Sequence, residues 1–135
     1  MAFLAICTHG QIIESALVPS VVKNAFAEGF PTIIDVIWST NNNYYNVSYE
    51  IDQLKKIVTY DESGVYIESR AGLLLPELPT SIQEYVKLNG EGDFLKEYYK
   101  VLRADGVESY EVFLHFNISL FDANGVLTKS SATNQ

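Results

Sequence analysis

The sequence predicts an α+β protein built of two tandem repeats, each a helix followed by four antiparallel strands. Together they would form one continuous antiparallel sheet with both helices packed on one face. Three observations carry that prediction. The first is self-similarity at a separation of about sixty residues, the regime of internal duplication. Ser48-Tyr49-Glu50-Ile51 runs on to Ile57, Tyr60, Asp61 and Gly64, and Ser109-Tyr110-Glu111-Val112 runs on to Ile118, Phe121, Asp122 and Gly125 at the same internal spacing. The second is a shared helix start ahead of each block, Val18-Pro19-Ser20 and Leu78-Pro79-Thr80. The third is charge: residues 1–70 carry four basic and eight acidic side chains, residues 71–135 five and nine, so the net charge of −8 divides evenly.

Residues 1–15 precede the first repeat as an N-terminal segment, either a signal remnant or an extra strand. In repeat 1, residues 16–69, Val18, Val21, Val22, Ala25 and Phe26 trace the stripe of a helix with one buried face. Pro19 suits the first turn, where its missing N–H costs nothing, and Gly29 and Pro31 end the helix. Thr32 to Trp38 is the first strand, closed by Asn41-Asn42-Asn43. The alternation of Tyr45, Val47, Tyr49 and Ile51 with Asn46, Ser48, Glu50 and Asp52 marks a half-buried second strand. Asp61-Glu62-Ser63-Gly64 reads as a hairpin turn with Gly64 in a left-handed position, leading into Val65 to Glu68. Residues 70–77 are the linker, whose Leu73-Leu74-Leu75 is too apolar for a free tether.

Repeat 2, residues 78–129, restates the plan. Its helix carries Leu78, Ile82, Tyr85 and Val86, with Ser81 and Glu84 at capping-box spacing and Asn89-Gly90 at its end. Phe94 to Leu102 is a strand closed by Asp105-Gly106. Tyr110 to Phe116, a strand ending at Phe121 and the turn Asp122-Ala123-Asn124-Gly125 lead into Val126 to Lys129. Residues 130–135 form a polar tail.

Composition narrows function by exclusion. Two units of about sixty residues would each bury too little surface alone, so a shared core is expected. A chain this acidic repels phosphate backbones, which excludes a nucleic-acid partner. No apolar run reaches the roughly 18 residues of a spanning helix. Cys7 is the single cysteine, so no intrachain disulfide forms. Phe3 to Cys7 is apolar but lacks the basic residues that open a complete secretory signal.

The order helix-Pro, strand, strand with Tyr-Glu-Ile or Tyr-Glu-Val, strand ending in aromatic-Asp-x-x-Gly resembles the PepSY-like family of secreted bacterial proteins. The matching residues are Val18-Pro19, Phe26, Pro31, Trp38, Tyr49-Glu50-Ile51 and Tyr60-Asp61 with Gly64, then Leu78-Pro79, Tyr110-Glu111-Val112 and Phe121-Asp122 with Gly125. They span roughly residues 16 to 128. The chain departs from that pattern at Gly90-Glu91-Gly92-Asp93, where an aromatic-Pro pair usually follows the helix. The resemblance implies two tandem repeats, a fold like that of beta-lactamase inhibitor proteins, a periplasmic or secreted location, and protein binding or inhibition without catalytic residues.

Catalytic and metal chemistry find little purchase in the residues themselves. His9 and His115, the only histidines, have no second His or Cys at ligand spacing. Cys7 and His9 share a face if extended, yet no orienting partner accompanies them. The two Asp-x-x-Gly turns offer too few oxygens for calcium. Asn46-Val47-Ser48 and Asn117-Ile118-Ser119 fit a glycosylation sequon but fall in strands. No cofactor and no enzymatic activity are expected.

Aromatics remain: nine Tyr, seven Phe and one Trp, mostly on or beside strands. Those that recur in both copies are explained by packing beneath the helices. Adjacent pairs such as Tyr44-Tyr45 and Tyr98-Tyr99 cannot both point inward, so one of each lies on the helix-free face. Exposed Tyr and Trp anchor protein interfaces. The expected binding residues are Trp38, Tyr44, Tyr98, Phe113 and His115, and the expected ligand is a protein partner. A small-molecule or glycan-binding module on the same aromatic face is the alternative, favoured by a deep pocket rather than a broad shallow surface. Oligomeric state is left open.

Overall fold

The computed structural model describes residues 10–90, 96–115 and 117–132. Among them are nine strands: β1 (Gln11–Ile13), β2 (Ile37–Asn41), β3 (Tyr44–Ile51), β4 (Leu54–Asp61), β5 (Tyr66–Gly72), β6 (Glu97–Arg103), β7 (Glu108–Leu114), β8 (Asn117–Asp122) and β9 (Leu127–Ala132). Two helices of ten residues, α1 (Ser20–Gly29) and α2 (Thr80–Asn89), complete the regular structure, with short 3-10 turns at Ser15–Leu17 and Leu75–Glu77. The strands are hydrogen-bonded in chain order from β1 to β9 in one sheet. The chain divides into two compact units, Met1–Ser69 and Arg70–Gln135, each with its own core.

In the first unit, Val18, Val22 and Phe26 of the α1 segment bury against Trp38, Val47, Val58 and Tyr60. Strand alternation selects these: Trp38 pairs with Val47 and Val47 with Val58, so one rung across β2, β3 and β4 is apolar beneath the helix. Phe26 meets Trp38 edge-on at 6.0 Å and stacks on Phe30 at 4.9 Å. In the second unit, Leu78, Ile82 and Val86 bury against Val112, Leu114 and Phe121. There Tyr98, Val112 and Ser119 form the corresponding rung, and the Ser119 hydroxyl bonds to the Tyr85 hydroxyl of α2 at 2.8 Å.

The fold is dominated by its sheet, and this corrects the expected α+β architecture of two helix-plus-four-strand repeats. One strand, β1, lies outside that scheme: it pairs antiparallel with β2 ahead of α1. The repeated motif itself does not occupy equivalent rungs. In the β7–β8 hairpin Tyr110 pairs directly with Phe121. In β3–β4 the partner of Tyr60 is Tyr45, whereas Tyr49 pairs with Lys56 nearer the turn. The first hairpin has strands of eight residues against seven and six in the second, and equal sequence spacing conceals that difference. Val47 and Val112, both 0% exposed, are the structurally matched positions.

Three local expectations also shift. β2 begins at Ile37 rather than Thr32, and β6 begins at Glu97, after Lys96, which is not part of the strand. Ser81 does not cap α2; its hydroxyl donates to the Gly125 carbonyl at 2.8 Å and ties the helix to the β8–β9 turn. The reaching-back carboxylate belongs instead to Glu77, which accepts the Leu74 N–H at 2.8 Å. Of the apolar linker, Leu73 packs on the second core while Leu74 and Leu75 are exposed. The two Asp-x-x-Gly turns form as expected: Asp61 Oδ1 accepts the N–H groups of Ser63 and Val65, and Asp122 Oδ1 those of Asn124 and Val126. Gly64 is required at φ +84°, where a Cβ would also lie 2.9 Å from the Val21 carbonyl oxygen. Cys7, His9, Glu91-Gly92-Asp93, Phe94 and Phe116 lie outside the described residues.

Candidate functional site

Strand alternation gives each unit a sheet face that its helix does not cover. In the second unit that face carries three polar-apolar rows. Glu97 pairs with Phe113 and Phe113 with Ile118; Tyr99 pairs with Glu111 and Glu111 with Leu120; Val101 pairs with Ser109 and Ser109 with Asp122. Phe113, Ile118 and Leu120 are half-buried, and Glu97 is exposed.

The centre of this face holds a buried ion pair. Arg70 Nε and Nη2 donate to the two carboxylate oxygens of Glu111, each at 2.9 Å, and the side chains are only 3% and 5% exposed. The bidentate fork is the geometry in which two desolvated charges are best compensated. Beside it, Tyr99 is buried and its hydroxyl donates to Glu97 Oε1 at 2.6 Å. Burial first, then that bond to the Glu97 carboxylate, push the Tyr99 phenol far above its ordinary range; the Glu97 and Glu111 charges add to the rise and the Arg70 charge opposes it. Tyr99 therefore stays a neutral donor, and Phe113 meets its ring edge-on at 5.8 Å.

The corresponding centre in the first unit is neutral. Thr59 Oγ1 donates to Asn46 Oδ1 at 2.6 Å, and both residues are buried. The same unit carries an open depression of about 290 Å³ lined by Asp35, Ile37, Ser48, Tyr49, Glu50 and Lys55. Among the described residues no three His, Cys, Asp or Glu side chains are grouped to hold a metal ion.

The residues expected from sequence fall in different places. Trp38 is 6% exposed and sits in the first core beneath α1. Tyr98 is half-buried on the α2 side, packed on the second core, and burial raises its phenol pKa. Of the pair Tyr98-Tyr99 it is Tyr99 that reaches the helix-free face. Tyr44 is 38% exposed and lies beside the Asn42-Asn43 turn, paired with Asp61. Phe113 is on the helix-free face of the second unit. His115 stands exposed in the β7–β8 turn, not on the strand where alternation had extended it.

Only Phe113 of the expected set joins the Arg70, Tyr99, Glu97 and Glu111 cluster. Glu111 was readable as facing away from Tyr110 and Val112, and Tyr99 as the alternate to Tyr98. Arg70 carries no sequence signal, because its place depends on β5 extending through the expected linker to Gly72.

No family model matches the chain, and no curated protein matches it. Its likenesses are among solved structures. A protein provisionally assigned to the periplasm of Bacteroides eggerthii is similar with a TM-score of 0.74 and 14% identity, over 85% of this chain and 88% of that one. A DUF2874 family protein from Bacteroides uniformis is similar with a TM-score of 0.72 and 16% identity, over 84% and 88%. A BLIP-like protein from Bacteroides fragilis is similar with a TM-score of 0.65 and 14% identity, over 88% and 89%. At this identity the likeness concerns the fold alone. Membership of a PepSY-like family is not confirmed, and the chain is similar in fold to DUF2874 family and BLIP-like proteins.

Proposed function

We propose that this chain is a non-enzymatic protein-binding module of the periplasm or the cell exterior, and that it binds through the helix-free face of its second unit. The observation that carries the reading is the half-buried apolar set Phe113, Ile118 and Leu120 on that face, seated around a buried Arg70–Glu111 pair. Such a surface offers an apolar centre with a fixed polar support, the anatomy of a protein interface. His115 at the adjoining turn would lie at its rim, and Tyr44 is the candidate contact on the first unit.

Two further observations support the reading. The solved proteins of similar fold include a BLIP-like protein and one provisionally assigned to the periplasm. No helix among the described residues is long and apolar enough to cross a membrane. Occlusion of a partner's working surface is how such a module would inhibit. The open depression in the first unit is the place where a small-molecule or glycan reading would have to be sought.

The test is site-specific photocrosslinking. A benzophenone side chain at position 113 should trap one defined protein from the cell-envelope fraction, competed by excess unlabelled chain. The same group at exposed Lys87 on α2 should trap none. Equal trapping at both positions, or none at 113, would refute the reading.

A further inference from the structure

We infer, on the basis of the binding reading above, that the Glu97–Phe113–Ile118 row accepts an arginine side chain of the protein partner. Glu97 and Phe113 are directly opposed on neighbouring strands, and Phe113 and Ile118 likewise, so the three side chains stand side by side on one face. The row runs from a carboxylate through an aromatic ring to an aliphatic side chain.

The carboxylate is held in place before any partner arrives. Tyr99, itself 5% exposed, donates its hydroxyl to Glu97 Oε1 at 2.6 Å, which occupies one oxygen and fixes the group's orientation. The second oxygen has no cation among the described residues, whereas the other carboxylate of the cluster, Glu111, is fully engaged by Arg70. An exposed, oriented, singly occupied carboxylate beside a partly exposed ring fits a planar cation. A guanidinium can donate to the carboxylate while its face or its stem lies against the aromatic ring. An ammonium would satisfy the charge but gain less from the ring.

Long-range charge points the same way. The chain carries −8, and residues 71–135 hold nine acidic against five basic side chains, so a cationic surface is drawn towards it and an anionic one is repelled. Glu97 lies within this acidic half as a carboxylate that the fold leaves on the surface.

The probe is the capped tripeptide acetyl-Ala-Arg-Ala-amide, titrated into isotope-labelled protein and followed by amide chemical shifts, with the citrulline tripeptide as the uncharged isostere. Saturable shifts centred on residues 97 and 113 are expected with the arginine peptide. They should weaken at least fivefold in Glu97→Gln, which retains an acceptor for Tyr99, and weaken in Phe113→Leu. Citrulline should produce none, and added salt should weaken the arginine response. Shifts that are absent, that citrulline matches, or that Glu97→Gln leaves unchanged would overturn the inference. Should crosslinking at position 113 succeed while the arginine titration fails, the binding face stands and the cation falls. Failure of the crosslink alone removes the binding reading without touching the titration.

Discussion

The two units bury a polar group at one matched position and satisfy it with different chemistry, from the following strand in the first and from β5 in the second. Asn46 in β3 and Glu111 in β7 each lie one residue from the fully buried valine of their strand, on the face away from the helix. The first unit satisfies that position with a neutral hydroxyl, Thr59, at 2.6 Å. The second uses a guanidinium, Arg70, with two bonds of 2.9 Å. A neutral pair is worth little when made and costs modestly when broken. A desolvated ion pair is nearly neutral as a whole and costs heavily when one half is removed. The face of the second unit therefore rests on the pair whose disruption costs more.

The largest effect should follow from halving the ion pair. Arg70→Ala leaves the buried Glu111 carboxylate without its cation, Glu111→Ala removes both of these bonds from the buried Arg70, and either should lower stability by about 3–5 kcal/mol in urea denaturation. The double substitution Arg70→Met with Glu111→Leu should recover most of that loss, because two charges are removed together. Single and double variants of equal stability would show that water reaches the site and that the burial argument is wrong.

Alkaline titration separates the units next. Burial, followed by the charges of Tyr49 and Tyr66, pushes Tyr60 in the first unit up to about 12 from 10.0. Its folded pKa lies above the unfolded value, so the stability it confers is complete below pH 10 and is lost as pH rises from 10 towards 12. The loss should be on the order of 2 kcal/mol for this residue. Tyr99 in the second unit is raised further by burial and its Glu97 bond, so its contribution keeps falling above that window. Urea midpoints measured between pH 8 and pH 12 should fall less steeply in Tyr60→Phe. A parallel fall in wild type and variant would place the ionising group elsewhere.

These contrasts also show what was legible in the chain. Strand alternation correctly separated Tyr45, Val47 and Tyr49 from Asn46, Ser48 and Glu50, because a period of two is a property of the backbone. What it could not do was place the strands in register. Tyr49 and Tyr110 stand in identical local sequence but at different distances from their hairpin turns, since Asp52-Gln53 forms the first turn and carries no usual turn signature. The same limit hid Arg70. Its role depends on a partner 41 positions away, fixed by pairings that local pattern does not encode. Alternation also fixes that sides change without naming them: Tyr98 is the residue expected on the helix-free face, yet it packs on the second core and Tyr99 takes that face.

A smaller effect is expected at the neutral pair. Thr59→Val keeps shape but removes the donor to Asn46, leaving a buried carbonyl oxygen short of one bond, and should cost about 1–2 kcal/mol. The comparison sharpens if this loss stays well under that of Glu111→Ala. It breaks if the two are equal, for then the ionic character of the second pair would have no energetic consequence.

The smallest effect concerns the turns that set register in the first unit. Asn42 and Asn43 sit at φ 51° and 70°, and Asp52 and Gln53 at 54° and 70°. Both are two-residue turns with left-handed backbone, the form that right-twisted hairpins favour. Asparagine tolerates that region because its short side chain bonds locally, but glutamine gains no such relief. Gln53→Gly should therefore raise stability by about 0.5–1 kcal/mol, with an unchanged denaturant slope. Asn43→Gly should gain only a few tenths. Losses at both positions would mean that chain entropy outweighs local strain. The β3–β4 register would then be held by its cross-strand pairs rather than by its turn.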